Sequence, residues 1–356
     1  MNTYFKYAFK ALLPVLIAYV STSVSPIFAV NIAYTNDAST LEKQAAKEVR
    51  RYTFLRTGTA PKLKKVKDYD TLPNGDVIVV AQNASPIITE LKAEYGNVDA
   101  PSSDGRMGYI IKSIRKDSRN ILVITGADTY TTLSAVYRFA ELLGCHFNLA
   151  GDVIPDKKIA YPLNISGYDE KSQPWFEMRG NLPFYNFTAG PDTWNTADYK
   201  SFITQQAKMG FNFFGLHYYG KGSAPGELEG PEPHLWMGHK NDVKPDGTIK
   251  PQGAYKSYWA SSFRSGGAKN EDGELEHIWG EQPVSVSKFT SGTNKLFAND
   301  YFGSEAIGSK EPTTQEEMAT VFNNVGALLN ESFTHAKRLG VKTAIGHEAP
   351  MGFEPG

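Results

Sequence analysis

The residues best suited to chemistry lie near the carboxyl end of the sequence, where His347 and Glu348 follow a short apolar segment. A helical pattern ends at Gly340, and Val341–Ile345 predicts a strand just before the pair. In a parallel α/β barrel, substrates bind where the strands end. Glu348 would hydrogen-bond substrate, orient His347, or act as an acid or base. The alternative is a structural ion pair at the rim of the barrel.

Two earlier strand ends offer further candidates for substrate binding. Arg179 falls near the end of a predicted strand, Trp175–Gly180, and its planar guanidinium suits the paired oxygens of a diol or uronate. The alternative for this arginine is a salt bridge at a domain interface. His217 and Tyr218 stand where a second predicted strand, Phe211–His217, opens into a loop, and their polar tips suit a sugar pocket. Packing beneath the next loop is the alternative for both.

Two tryptophans are candidates for contact with sugar rings. Trp194 lies in the loop after the first of these strands, and Trp236 lies in a long insertion. Asn195, next to Trp194, is predicted to cap the following helix. For Trp236 the alternative to sugar contact is burial in a small core within the insertion. A zinc site is not favoured, because His347 is not followed four residues later by the second histidine of a metalloprotease helix. No cofactor is expected.

Composition limits the class of protein and its partners. The chain has 356 residues, 41% of them hydrophobic, which fits two domains with sizeable cores. Its net charge of −1 argues against a nucleic-acid or anionic-membrane partner. The single cysteine, Cys145, excludes an intramolecular disulfide framework.

Residues 1–29 predict a Sec-type signal peptide. Lys6 and Lys10 precede an apolar run, Ala11–Val20, and Ala29 provides a small residue for cleavage. The run is too short for a spanning helix, which needs about 20 residues. We therefore expect a bacterial periplasmic or secreted protein with no membrane contact after cleavage.

The pattern of apolar residues predicts an α/β fold in two domains. The first, residues 30–169, combines strands with packed helices, beginning with an edge strand at Val30–Tyr34 and a capping box at Ser39. A polar linker is predicted over 165–174. The second domain, residues 175–356, alternates strand and helix, which predicts a parallel sheet with right-handed crossovers. A long insertion, residues 220–311, interrupts it and is expected to be functional.

Segments of both domains carry a family resemblance. In the first domain they are Ala46, Val49–Tyr52, Thr57-Gly58 and Pro61, then Val77–Ala81, Ile124–Ala127, Ala135–Phe139 and Leu143-Gly144. These resemble the α/β accessory domain that precedes the catalytic barrel in family 20 β-hexosaminidases and family 67 α-glucuronidases. In the second domain, Arg179-Gly180, Lys208–Asn212 with Leu216-His217, and His335–Val341 resemble the opening of those barrels.

The resemblance implies a (β/α)₈ TIM-type barrel in which Arg179 grips sugar hydroxyls. In both families the catalytic carboxylates follow later strands than the three found here. The second domain is also shorter than the ~250 residues of a typical barrel. We therefore expect an N-terminal part of such an enzyme, truncated early in its barrel and with an open sheet edge. Glu348 is the candidate carboxylate. Its expected main role is contact with substrate, and catalysis is the lesser alternative.

The function predicted from the sequence is an exported, exo-acting glycoside hydrolase that degrades oligo- or polysaccharide. A non-catalytic carbohydrate-binding protein is the alternative. An esterase or sulfatase is disfavoured, because the sequence offers neither a Gly-x-Ser-x-Gly elbow nor a suitably placed cysteine.

Overall fold

The computed structural model describes residues 29–182, 191, 194–218, 243–251, 254–260, 279–285 and 314–347. Along 254–260 and 279–285, and at positions 217, 218, 315, 318, 321, 322, 346 and 347, only the backbone is described. Within these ranges the chain is a mixture of helices and multi-stranded sheet, so the predicted α/β class is confirmed.

The N-terminal half of the chain builds a six-stranded mixed sheet. In chain order its elements are β1 (Asn31–Thr35), α1 (Thr40–Thr57), β2 (Lys62–Val66), β3 (Val77–Val80), α2 (Pro86–Tyr95), β4 (Ser102–Ser103), β5 (Arg106–Met107), β6 (Tyr109–Lys116), β7 (Arg119–Gly126), α3 (Thr129–Leu142), β8 (His146–Asn148), β9 (Gly151–Val153) and β10 (Asp169–Ser172). The sheet order is β10-β6-β7-β3-β1-β2. The strands β2, β1, β3 and β7 are parallel, whereas β6 and β10 are antiparallel to their neighbours.

Local signals account for the ends of α1. The Ser39 hydroxyl accepts a hydrogen bond from the Glu42 amide at 3.2 Å, and the Glu42 carboxylate accepts one from the Ser39 amide at 2.9 Å. This is the predicted capping box. The helix ends at Gly58, whose φ of 80° is left-handed and favours glycine.

The two faces of the sheet pack against different helices. One face, including Ile32 and Ile124, belongs to a core with α1 and α3. The other, including Val79 and Val123, packs with Leu91 of α2. Strand β3 is buried on both faces, as expected for a central parallel strand made only of valine and isoleucine.

Two predictions for this half are wrong in detail. The segment at Val30–Tyr34 was expected at the sheet edge, but β1 pairs with β2 on one side and with β3 on the other. The predicted linker contains β10, which pairs with β6. Its consecutive charged residues resemble a linker in sequence, and only the distant pairing with Tyr109–Lys112 reveals the strand.

The C-terminal half contains a three-stranded parallel sheet. Its elements are β11 (Gly180–Asn181), α4 (Thr196–Lys208), β12 (Phe213–Tyr218), β13 (Ala254–Ala260), β14 (Trp279–Ser285), α5 (Gln315–Arg338) and β15 (Lys342–His347). The sheet order is β11-β12-β15, and both pairings are parallel. The predicted strand–helix–strand–helix–strand arrangement is thus confirmed. The core of α1 and α3 continues without a break into this half, through residues that include Tyr199, Phe214 and Leu328.

The first of these parallel strands is shorter than predicted. The expected strand Trp175–Gly180 is wrong, since pairing begins only at Gly180. Trp175 is 88% exposed and Phe176 is 71% exposed, so these apolar residues do not pack in a sheet core. Their hydrophobicity imitates a buried strand in the sequence.

The insertion contains regular structure that the sequence did not indicate. Strands β13 and β14 pair antiparallel, with Ala254 opposite Ser285. Elsewhere in the insertion, Ile249 is buried, and its amide donates to the Asn323 side chain of α5 at 2.9 Å. This contact ties the insertion to α5.

Replacement of Asn195 by alanine is expected to lower the free energy of unfolding by about 1 kcal/mol. The Asn195 side-chain oxygen accepts from the amides of Ala197 and Asp198, at 2.8 and 3.0 Å, and so caps α4 as predicted. Urea unfolding would measure the loss. The matched control is Asn330→Ala in the middle of α5, an exposed site where alanine should leave stability equal or slightly higher. A smaller loss at Asn195 than at Asn330 would contradict the capping role.

Candidate functional site

The carboxyl ends of β12 and β15 lie side by side. In the parallel register, Tyr218 is opposite His347 and His217 is opposite Gly346. Neighbouring strands are about 4.8 Å apart, so these backbone positions form one short edge. The structure thus brings together three of the predicted site residues. Glu348 follows this edge directly in the sequence and lies outside the described residues.

Aromatic packing holds this edge against two helices. Phe214 of β12 is fully buried, and its ring lies 6.2 Å from that of Tyr199 in α4 and 6.3 Å from that of Phe333 in α5. Leu216 is also buried. A strand fixed by two helices gives its end residues a defined position, as a binding site requires.

Trp194 lies at the start of α4. Its ring centroid is 5.3 Å from that of Tyr199 and 4.9 Å from that of Phe202. Because α4 follows β11, its N-terminus and the carboxyl ends of the strands belong to the same side of the sheet. Contact between Trp194 and substrate stays a prediction. Trp236 lies outside the described residues.

Arg179 lies at the opposite end of the parallel sheet. Its carbonyl accepts from the amide of Phe213, the first residue of β12, at 3.0 Å. Its guanidinium donates to the carbonyls of Phe176 at 2.7 Å and Gly210 at 3.2 Å. From Phe213 to Tyr218 the strand spans about 16 Å, at ~3.3 Å per residue. The structure does not bring Arg179 together with the other candidates, and sugar binding by this arginine stays a prediction.

A buried ionic cluster around Asp152 fixes α4 to the N-terminal half. Lys208 donates to Asp152 Oδ1 at 2.6 Å and Gln205 at 3.1 Å, while the Tyr52 hydroxyl donates to Oδ2 at 2.9 Å. The Lys208 side chain is 5% exposed and that of Asp152 is 12% exposed. Burial alone would raise the pKa of Asp152, but these hydrogen bonds outweigh burial and lower it. This cluster could not be predicted from the sequence, because its members are distant in the chain and no motif links them.

Within the described ranges, no group of three histidine, cysteine or acidic residues could hold a metal ion. No helix in the same ranges has the length and apolar character that crossing a bilayer requires.

Comparison with known proteins gives only weak likenesses. No protein-family model matches the chain. No curated protein matches it either.

Three solved structures share part of their shape with the chain. A novel family GH115 4-O-methyl-α-glucuronidase with specificity for decorated arabinogalactans is 13% identical, with a TM-score of 0.36, over 52% of this chain and 25% of that one. CpGH84D is 9% identical, with a TM-score of 0.31, over 52% of this chain and 28% of that one. A GH138 enzyme targeting pectin rhamnogalacturonan II is 10% identical, with a TM-score of 0.37, over 88% of this chain and 24% of that one. The chain spans about a quarter of the length of each, and scores this low decide neither fold nor activity.

Proposed function

We propose that this chain is part of an exported glycoside hydrolase, with its sugar site at the edge formed by His217, Tyr218 and His347. The register of β12 and β15 is the observation that supports this most strongly, since it aligns Tyr218 with His347 at the carboxyl ends of parallel strands. Those ends are where a barrel enzyme holds its substrate. Imidazole and phenol groups offer sugar hydroxyls both donors and acceptors.

The proposal includes the domain plan. Residues 1–29 are a signal peptide, 30–169 an accessory domain, and 175–356 the opening of a (β/α)₈ barrel. The sheet order of β11, β12 and β15 supports the barrel, because neighbours in the sheet are successive parallel strands joined through α4 and α5. Glu348 contacts substrate next to His347. Exo-action on oligo- or polysaccharide, in a periplasmic or secreted location, belongs to the same proposal.

Replacement of His347 by alanine is expected to weaken oligosaccharide binding about tenfold or more, because a hydrogen bond to a substrate hydroxyl is lost. Calorimetric titration of the chain with neutral and acidic oligosaccharides would measure it. The matched control is His146→Ala, an exposed histidine of β8 far along the sequence. Equal affinities for the two variants would contradict the proposed site.

Hydrolysis separates the enzyme from the alternative, a carbohydrate-binding protein without catalysis. In the longer protein that we propose, Glu348→Gln should weaken binding and lower turnover together if Glu348 is a contact residue. Loss of turnover with unchanged binding would instead make Glu348 catalytic. Binding with no turnover in the unsubstituted protein would favour the binding-protein alternative.

A further inference from the structure

Exposed cations are concentrated on two neighbouring elements of the N-terminal half. Three recur along α1 at helical spacing and so share one face of that helix. Three more belong to β2, the last strand of its sheet. We call this surface the basic face, and its members are Lys43, Lys47 and Arg50 of α1 and Lys62, Lys64 and Lys65 of β2.

The two rows of cations lie side by side. Helix α1 begins shortly after β1 ends and contacts β2. Its first turns therefore lie nearest the carboxyl end of β1, where Tyr34 pairs with Lys65. The helix rises about 10 Å from Lys43 to Arg50, and β2 extends about 10 Å from Lys62 to Lys65.

Lysine side chains flank both sides of the free edge of β2. Leu63 packs on the core of α1, so Lys65, two residues later, lies on the same face of the sheet. Val66 belongs to the core of α2, so Lys62 and Lys64 lie on that opposite face. A polymer that follows this edge therefore meets cations on both sides.

No carboxylate neutralises the basic face within the described part of the chain, where none of its six cations forms an ion pair. The two acidic residues of α1 are buried and bound elsewhere. Glu42 accepts from the amides of Ser39 and Gln82, and Glu48 accepts from Arg51. The whole chain has a net charge of −1, so this excess of positive charge is local.

Protection of the sheet edge explains only half of the basic face. Lysines on an edge strand discourage pairing with another chain, which accounts for those of β2. It does not account for Lys43, Lys47 and Arg50, because a helix has no such edge. A ligand that spans both elements accounts for all six.

The residue types favour a polymer with a sugar backbone. Five of the six cations are lysines, which act as separate point charges and not as bidentate clamps. Such contacts are weak singly and strong when one polymer makes several. Phe54 follows Arg50 by four residues on the same face of α1 and is 49% exposed, so it offers an aromatic surface to a sugar ring.

We propose that the basic face binds a linear polysaccharide bearing carboxylate groups, with one sugar ring against Phe54. The choice of a polysaccharide over other polyanions rests on the proposed function, whereas the choice of a polyanion rests on the charges. The basic face shares no residue with the edge of His217, Tyr218 and His347. It therefore holds the polymer independently of that edge.

The test titrates the full chain, at several salt concentrations, with polygalacturonate, its uncharged methyl ester and single-stranded DNA of equal charge. Polygalacturonate should bind most tightly, and more weakly as salt rises. Combined Lys62→Gln, Lys64→Gln and Lys65→Gln should weaken its binding about tenfold and make the salt dependence shallower. Phe54→Ala should weaken binding about threefold without altering the salt dependence.

A second triple variant, Lys43→Gln, Lys47→Gln and Arg50→Gln, should lose affinity similarly, and it decides the question if loss of the edge lysines causes aggregation. The matched control makes the same change of charge at exposed positions on β6, β10 and the insertion. It combines Arg115→Gln, Lys171→Gln and Lys244→Gln, and should bind as the unsubstituted chain does.

Loss of affinity in the basic-face variants and not in the control would establish the site. Absence of salt-dependent binding, equal binding of the methyl ester, equal or tighter binding of DNA, or equal affinities in basic-face and control variants would each overturn the inference. The proposed function is tested separately, by His347→Ala with short oligosaccharides, and the lysine variants should leave that binding unchanged.

Discussion

Replacement of Asp152 by alanine is expected to lower the free energy of unfolding by about 3–5 kcal/mol. The change leaves the Lys208 ammonium buried without its carboxylate, only 5% exposed to solvent. It also removes the acceptor of hydrogen bonds from Gln205 and Tyr52. An uncompensated buried charge costs far more than the pair itself contributes. Chemical denaturation at neutral pH, followed by circular dichroism, would measure the loss.

The matched control for this change is Asp156→Ala, three residues past β9. Asp156 is exposed, so its removal should alter stability by less than about 0.5 kcal/mol. Similar losses for the two variants would show that Asp152 does not anchor α4. A partial rescue by combining Asp152→Ala with Lys208→Met, which replaces the orphaned ammonium by an apolar side chain, would identify the buried charge as the cause.

The same cluster predicts a pH dependence. Because the pKa of Asp152 is lower in the folded than in the unfolded chain, its contribution to stability is present at neutral pH. That contribution is lost as the pH falls below the unfolded value, about 3.9, and through the folded pKa. The difference in stability between the unsubstituted chain and Asp152→Asn should therefore shrink under acid conditions. A constant difference from pH 7 to pH 3 would contradict this assignment.

Replacement of Gly180 by alanine is expected to cost about 3 kcal/mol and to separate β11 from β12. A Cβ at this position would lie 1.8 Å from the carbonyl oxygen of Phe213, with which Gly180 is paired. The obstacle is backbone, so no side-chain rotation relieves it. Urea unfolding would report the lost stability, and amide hydrogen exchange at Phe213, whose amide donates to the Arg179 carbonyl, would report the lost pairing.

Gly326→Ala is the matched control, and it is expected to raise stability where Gly180→Ala lowers it. Gly326 lies within α5, and a Cβ there meets no atom within 4 Å. Alanine should raise stability by about 0.5–1 kcal/mol, because glycine is the poorer helix former. If both variants lost stability equally, the close approach at Gly180 would not be the cause.

Local signals predicted α1, α4, β12 and β15 well, whereas α2 and the parallel strand β2 were not predicted. The capping box at Ser39, the cap at Asn195 and the left-handed glycine at Gly58 each depend on neighbours within a few residues. The parallel order of β11, β12 and β15 followed from the alternation of strand and helix along the chain, which the structure confirms.

The errors arose where distant contacts decide the structure. The polar segment at Asp169–Ser172 becomes a strand only through pairing with β6. Trp175 and Phe176 have the hydrophobicity of a strand yet remain exposed. Arg179 was expected near His217, but the true start of β11 puts it at the other end of the sheet.

The candidate site was predictable in part. That His217, Tyr218 and His347 end neighbouring strands follows from the sequence pattern together with the rule that parallel strands end at one edge. The register that aligns Tyr218 with His347 does not follow from the pattern, because it is set by packing of β12 and β15 against α4 and α5.

The most direct test of the proposed carbohydrate site is amide hydrogen exchange of the chain with and without a bound oligosaccharide. Saturation with an oligosaccharide is expected to slow amide exchange at residues 217–218 and 346–348, and to leave exchange in the turns of the N-terminal sheet unchanged. Saturable binding with protection elsewhere, and none at these strand ends, would contradict it.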